Sequence, residues 1–310
     1  MRERLVTLTL ALAALLVFLS LFVHAEGPPG KGVSLPTSAD RDQNGLLGAL
    51  TWLAEEGVRT RPVRERFTAL SRLRDLPTRG NLLIVTLPAA VPFRSDEAAA
   101  LDRWLHQGNT LVVLAALSDR PAWARDHGVL ESDLHLITGL EIASVRPARP
   151  ARSRAGEARP DSGDDVATGL ARTMRLMLKP QRDTLVPNRA HRYLEKVGSL
   201  TGFSDYPPRG WKLELPRERF PLCLAHLAGS YGCGLWLLAD GNSTVVLSAF
   251  GSLLTNRALG EGDNARLLAN LVRASVAADG AVLFDDQHQG LSDTYDPESF
   301  YRDRRLYLTL

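Results

Sequence analysis

From residue 81 onward the apolar positions fall into a regular alternation of strand-like and helix-like segments. "NLLIVTL" (81–87) and "NTLVVLAAL" (109–117) are continuous apolar runs, and "SDEAAALDRWLHQG" between them repeats its apolar positions at helical spacing. Strands that are apolar throughout, with a helix between them, predict a parallel sheet buried on both faces. Ser95 is expected as the N-cap of that helix, Asp96 and Glu97 as its first-turn acids and Gly108 as its stop. Upstream, Leu46, Leu47, Leu50 and Leu53 predict a helix over about residues 40 to 56 that Gly57 ends, with a short strand at "VRTRPV". Downstream, "GLWLLADGNSTVVLSAF" sets two apolar runs around Asp240-Gly241-Asn242, a hairpin turn signal. A helix over about 262–277, with Leu267, Leu268, Leu271 and Val272 inward, leads to a last strand, "AVLF".

The N-terminus has a different pattern. "LVTLTLALAALLVFLSLFV" (5–23) carries no charge and is long enough to span a bilayer as a helix. Arg2 and Arg4 before it favour a cytoplasmic N-terminus with the rest of the chain on the far side. A cleaved signal peptide ending near Val23-His24-Ala25 is the competing reading, and the length of the apolar core favours a retained anchor. The expected organisation is therefore a transmembrane anchor at 1–25, a Gly/Pro-rich tether at 26–39 and one α/β domain at 40–310. Within that domain, residues 145–170 hold the Arg/Pro/Ala-rich "VRPARPARSRAGEARPDSGDD" and are expected to be a disordered loop. Residues 176–233, with short strands at "WKLEL" and "RFPLCLAHL", are expected to form a β-rich insertion. The fold class expected is α/β: an open, mostly parallel sheet with helices on both faces, plus that insertion and an N-terminal transmembrane helix. The localisation expected is the cytoplasmic membrane, single-pass, with the domain on the extracytoplasmic side.

Composition narrows the functional classes. Lys+Arg and Asp+Glu number 37 and 35, so formal charge is only +2 and no general nucleic-acid footprint exists. Aromatics at 6% weaken any reading built on base stacking, while a 45% hydrophobic share fits a chain that builds a packed core. The two cysteines, Cys223 and Cys233, form no CxxC motif; they fit a disulfide across a hairpin or two buried thiols equally well.

Ligands of open parallel sheets bind outside the carboxyl ends of the strands, where loops and helix N-termini converge. Two polar clusters fall there: "SAFGSLLTNRALGEGDNA" after the strand at 244–249, and "DDQHQG" after the strand at 281–284. If those strands are neighbours, Asn256, Asp263 and Asn264 can face Asp285, Asp286 and His288 across one rim, and these six are the candidate ligand-binding residues. Asp285 and Asp286 point opposite ways if strand geometry continues through them, which disfavours a metal set. Each also has a structural explanation: Asp263 as a helix cap, His288 as a hydrogen-bonded core histidine. A Ser252–His288–Asp285 triad lacks its elbow, because Gly251 flanks Ser252 without the spaced partner glycine. No catalytic residue, metal or cofactor is assigned.

The chain resembles a bacterial membrane-anchored family, the domain of unknown function 4350. The resemblance rests on the anchor and tether, "SLPTSAD", "RGNLLIVTL" to "LDRWLHQGNTLVVLA", "VVLSAFGSLLTNRALGEGDNARLLANLV" and "VLFDDQHQG". It implies a flavodoxin-like or class I amidotransferase-like shape without the catalytic cysteine. It also implies partner membrane proteins and a MoxR-type AAA ATPase system, and it supplies no reaction. The partners expected are thus the lipid bilayer through residues 5–23 and that ATPase system, with no nucleic acid. The function expected is a membrane-anchored, non-catalytic interaction or scaffolding domain. The alternative is a small-molecule or metal-binding domain, with or without hydrolytic activity, whose site lies at the carboxyl edge of the sheet.

Overall fold

Eleven strands account for most of the regular structure in the computed structural model, which describes residues 33–73, 75–124, 128–145, 181–206, 210–214, 221–229 and 232–293. The strands are β1 (Thr60–Val63), β2 (Leu82–Leu87), β3 (Thr110–Ala115), β4 (Glu141–Val145), β5 (Gln181–Pro187), β6 (Leu200–Ser204), β7 (Gly210–Glu214), β8 (Leu222–Leu227), β9 (Cys233–Asp240), β10 (Ser243–Ser248) and β11 (Val282–Asp285). The α-helices among the described residues are α1 (Leu47–Glu55), α2 (Ser95–His106), α3 (Gly128–Thr138) and α4 (Asn264–Ser275). Ser34–Leu310 form one compact unit; the other unit, Met1–Val33, lies outside the described residues apart from Val33.

Nine of the strands make one sheet in the order β1-β11-β2-β3-β10-β9-β8-β5-β6, and β4 pairs with β7 in a separate ribbon. The pairings from β1 to β10 are parallel, and those from β10 to β6 are antiparallel. The expected mostly parallel sheet with helices on both faces is therefore overturned: the fold is sheet-rich and mixed, with few helices, and the flavodoxin-like expectation falls with it. The reason lies at Asp240-Gly241-Asn242. That turn, with Gly241 at φ 55°, folds β9 back antiparallel beside β10. From β9 the segment expected as an insertion then extends the same sheet through β8, β5 and β6. The residues expected as a disordered loop lie outside the described residues from 146 onward.

The membrane expectation is corrected as well. No helix among the described residues is long and apolar enough to cross a membrane, which overturns the expected single-pass localisation; the run at 5–23 itself lies outside the described residues.

Alternate side chains of the central strands feed two apolar clusters. Leu83, Val85 and Leu87 of β2 join Leu111, Val113 and Leu283 on one side, packed by Leu101, Trp104 and Leu105 of α2 and by Leu130 and Leu134 of α3. Leu82 and Ile84 join Val112, Val246 and Phe284 on the other, packed by Ala49 and Leu53 of α1 and Leu267, Leu268 and Leu271 of α4. That second cluster continues over the antiparallel half through Leu185, Leu200, Leu224 and Leu235, where Phe250, Leu253 and Leu254 from the turns after β10 are its partners.

Both sheet edges are blunted against another strand. Pro62 leaves the β1 edge without a backbone donor at that position. On β6, Thr201 N–H donates to Asn264 Oδ1 at 2.9 Å and Phe203 N–H to Ser252 Oγ at 2.7 Å, while Asn264 Nδ2 donates to Thr201 O. Cys223 and Cys233, with Cα atoms 5.9 Å apart, are joined as a disulfide between β8 and β9.

Candidate functional site at the carboxyl edge of the sheet

β11 ends at Asp285, and a single 3-10 turn, Gln287–Gln289, closes on Gly290 in the left-handed region at φ 93°. The turn folds Asp285 against His288: Nδ1 of the ring lies 2.9 and 3.0 Å from the two carboxylate oxygens. On its other side Nε2 meets Glu97 Oε1 at 3.2 Å. The ring stacks on Phe93 with centroids 3.9 Å apart and meets the edge of Phe67 at 4.6 Å. His288 and Glu97 are both 0% exposed.

Glu97 reaches this centre because it sits in the first turn of α2. The helix begins at Ser95 with Arg94, not Ser95, as its N-cap, and the Glu97 carboxylate accepts the Arg94 N–H at 3.0 Å. It also accepts from Phe67 N–H at 3.2 Å and pairs with Arg66 at 2.8 Å.

The Asp285 and Glu97 carboxylates thus face a fully buried His288, and the partly exposed Arg66 closes the outer side of Glu97. Burial works to lower the His288 pKa, but Asp285, then Glu97, outweigh it and raise it to about 9. The Glu97 carboxyl, pushed up by burial, is held below its usual value by His288 and Arg66. At neutral pH both ring nitrogens carry protons, and each donates to a carboxylate. This charge-compensated core has no ring nitrogen left for a substrate.

Asp286 turns the other way. It accepts the N–H and the hydroxyl of Ser38, each at 2.7 Å, and Arg64 Nε approaches to 3.5 Å. Burial raises its pKa against the opposing pull of Ser38 and Arg64. The remaining candidates also bond to protein groups. Asn256 accepts Gly48 N–H at 2.7 Å and donates to the Asp40 and Asp42 carbonyls. Asp263 accepts from Gly198 and Ser199 N–H, which lowers its pKa despite some burial, and Arg266 lies 3.5 Å away. Asn264 donates to the carbonyls of Thr201, Leu253 and Ala258. Asp285 and His288 are thus brought together, whereas Asn256, Asp263 and Asn264 bond to the 40–48 and 198–201 segments.

Another buried acid at this edge, Asp119, was not anticipated. Asp119, just past β3, accepts Gly251 N–H at 2.9 Å and Ser252 N–H at 2.8 Å, and Ser252 Oγ donates to it at 2.6 Å. Burial pushes its carboxyl up to about 7 against these donors. Ser252 is therefore bound to Asp119 and Phe203 rather than to His288. Among the described residues no group of three or more His, Cys, Asp or Glu is placed to hold a metal ion.

A mixed, edge-blunted sheet with side-chain ties at the carboxyl ends of β3, β10 and β11 defines the class of domain. The family model for the domain of unknown function (DUF4350) matches residues 38–272, and the chain belongs to that family. The match ends before β11, so the Asp285–Gly290 turn lies beyond it. No curated protein matches the chain. Among solved structures, the mmIFT52 N-terminal domain is 12% identical over 62% of this chain and 75% of that one, with a TM-score of 0.35. A β-galactosidase from Bacillus circulans sp. alkalophilus is 15% identical over 63% of this chain and 22% of that one, with a TM-score of 0.31.

Proposed function

We propose that this chain is a non-catalytic interaction domain, acting as a scaffold for protein partners, with a MoxR-type ATPase system as the first partner to test. The observation that carries this reading is the use made of the carboxyl-edge polar residues. Asp286, His288, Asn256, Asp263 and Asn264 each tie one backbone segment to another, and His288 is fully enclosed. A ligand or metal site on the same residues would have to break these bonds and open a charge-compensated core, a cost of several kcal/mol.

The test is photo-crosslinking from surface positions of the full chain in cells. A crosslinking residue at Glu55 on α1, and separately at Ala99 on α2, is expected to give a discrete adduct with a second protein, identified by mass spectrometry. No adduct from either position, together with a ligand or turnover that His288→Asn abolishes while folding is retained, would overturn the proposal.

A further inference from the structure

We propose that the basic ridge formed by residues 189–196 and the outer face of α4 receives an acidic segment of a partner protein, with a carboxylate side chain seated in the depression at its centre. This rests on the interaction reading and gives it a place and a chemistry. The segment follows β5 and is held on a rigid frame. Tyr193 and Leu194 are buried in the apolar cluster that α4 also joins, and Asn270 Nδ2 donates to the Tyr193 and Glu195 carbonyls at 3.1 and 2.9 Å. Arg266 Nη1 donates to the Lys196 carbonyl at 3.2 Å. Lys196, alone among the described non-glycine residues, takes the left-handed conformation, at φ 57°. Side chains disfavour that conformation, so the packing around Lys196 fixes where its ammonium stands.

Five cations stand on this frame: Arg189, Arg192 and Lys196 on the segment, and Arg266 and Arg273 two turns apart on α4. The acids of the same stretch are already matched. Asp263 accepts from Gly198 and Ser199 N–H and lies 3.5 Å from Arg266, and Glu195 lies 3.8 Å from Arg273. Arg189, Arg192 and Lys196 are exposed and pair with no carboxylate among the described residues; Arg192 lies over the Tyr193 ring, 5.2 Å from its centroid. The whole chain has a surplus of only two positive charges, so three uncompensated cations within eight residues are a local concentration of charge.

The depression has a volume of about 570 Å³, within the size range of ligand sites, and is lined by Ala190, His191, Arg192, Leu194, Glu195 and Lys196. His191 Nδ1 accepts the Tyr193 N–H at 3.2 Å, which leaves the proton of the neutral ring on Nε2. Burial, then Arg192, holds the His191 pKa below its usual value. Two cations and one neutral N–H donor therefore border the space, while Leu194 and Ala190 suit the methylene stem of a glutamate. A lone small anion is best held by donors converging on one point. Here the cations are strung along the segment and over about 10 Å of helix, which matches carboxylates spaced along a peptide.

The experiment uses the full chain, isotope-labelled for NMR, and two blocked peptides, one of leucine and glutamate and one of leucine and lysine. The glutamate peptide is expected to move the amide signals of Ala190, Tyr193 and Lys196. It is also expected to raise the titration midpoint of the His191 ring, because an anion beside the ring favours its protonated form. The lysine peptide should do neither. Arg189→Glu with Lys196→Glu is expected to weaken binding about tenfold, since opposed charge becomes like charge. Arg59→Glu with Arg61→Glu, which makes the same change in net charge at the opposite, β1 edge of the sheet, should leave binding as it was. Thermal melts check that both variants fold, and Arg192→Gln, which keeps the side chain's size, should weaken binding severalfold. Equal binding of the two peptides, signals moving elsewhere, an unmoved His191 midpoint, or equal affinity in the two double variants overturns the proposal. So does tighter binding of phosphatidylglycerol vesicles or of inorganic phosphate than of the glutamate peptide, which would assign the ridge to a membrane surface or a phosphate. If the peptide result fails while Glu55 or Ala99 still crosslinks a partner, the ridge assignment falls and the interaction reading stands.

Discussion

Replacing His288 by alanine tests whether the buried charge cluster is a structural lock. The substitution leaves Asp285 and Glu97 facing a void, with Arg66 still on Glu97. Removing one partner of a buried ion pair costs about 3–5 kcal/mol. The raised pKa gives a figure of the same size: a rise from 6.5 to about 9 corresponds to about 3 kcal/mol at roughly 1.4 kcal/mol per unit. His288 is fully buried, so solvent screening does not discount it. The sign follows from the direction of the shift. A pKa raised on folding contributes stability that is present in full below about pH 6.5 and is lost as pH rises through about 9. Urea unfolding of the oxidised full chain at a series of pH values is the assay. At pH 6.5 the midpoint of the variant should fall by about 1–2 M, given urea slopes of a few kcal/mol per M. Towards pH 9.5 the difference from wild type should shrink to the packing loss, including the Phe93 stack. A difference below about 1 kcal/mol at pH 6.5, or one that stays constant with pH, refutes the lock, because a buried imidazolium must show both effects.

Asn264→Ala removes the cap on the β6 edge and should cost about 2–4 kcal/mol, with faster hydrogen exchange at the Thr201 amide; unchanged exchange there would show that the edge is held otherwise. Reduction of the Cys223–Cys233 bond, which closes a loop with a sequence separation of 10, should lower stability by about 2–3 kcal/mol, read as a drop in melting temperature that Cys223→Ser with Cys233→Ser reproduces. Asp119 should titrate near pH 7 by carboxyl carbon NMR. Since its folded pKa is raised, its contribution is present below about pH 3.8 and lost as pH rises through 7; a midpoint below 4 would mean that the three donors from Gly251 and Ser252 outweigh burial.

Local periodicity was enough to place β2, α2, β3, the β9–β10 hairpin and α4, because each is either a continuous apolar run or a 3.6-residue stripe bounded by a glycine or a turn. It was not enough to place β5 and β6. "QRDTLVP" and "LTGFS" are short and mixed, and their membership in the main sheet depends on partners far away in sequence. The make-up of the sheet was misjudged for the same reason: the parallel run from β1 to β10 read as the whole sheet and the segment at 176–233 as an insertion, whereas β9, β8, β5 and β6 extend the same sheet antiparallel.

The "DDQHQG" turn shows why acids and a histidine at a strand's carboxyl end can be legible as a cluster and illegible as chemistry. Position alone brought Asp285, Asp286 and His288 to the carboxyl end of β11. Their roles depend on partners separated by 191 residues for Glu97 and 248 for Ser38, neither of which any spacing rule connects to them. Glu97 did carry a signal, as an acid in the first helical turn, but that signal reads equally well as a solvated cap. What separates the two readings is burial: a first-turn acid in water favours the helix dipole by a few tenths of a kcal/mol, whereas one sealed against an imidazolium ties α2, β11 and the Phe67 turn into a single unit. The cost of burying those charges makes each partner depend on the others, so the polar centre serves to fix one arrangement of the elements.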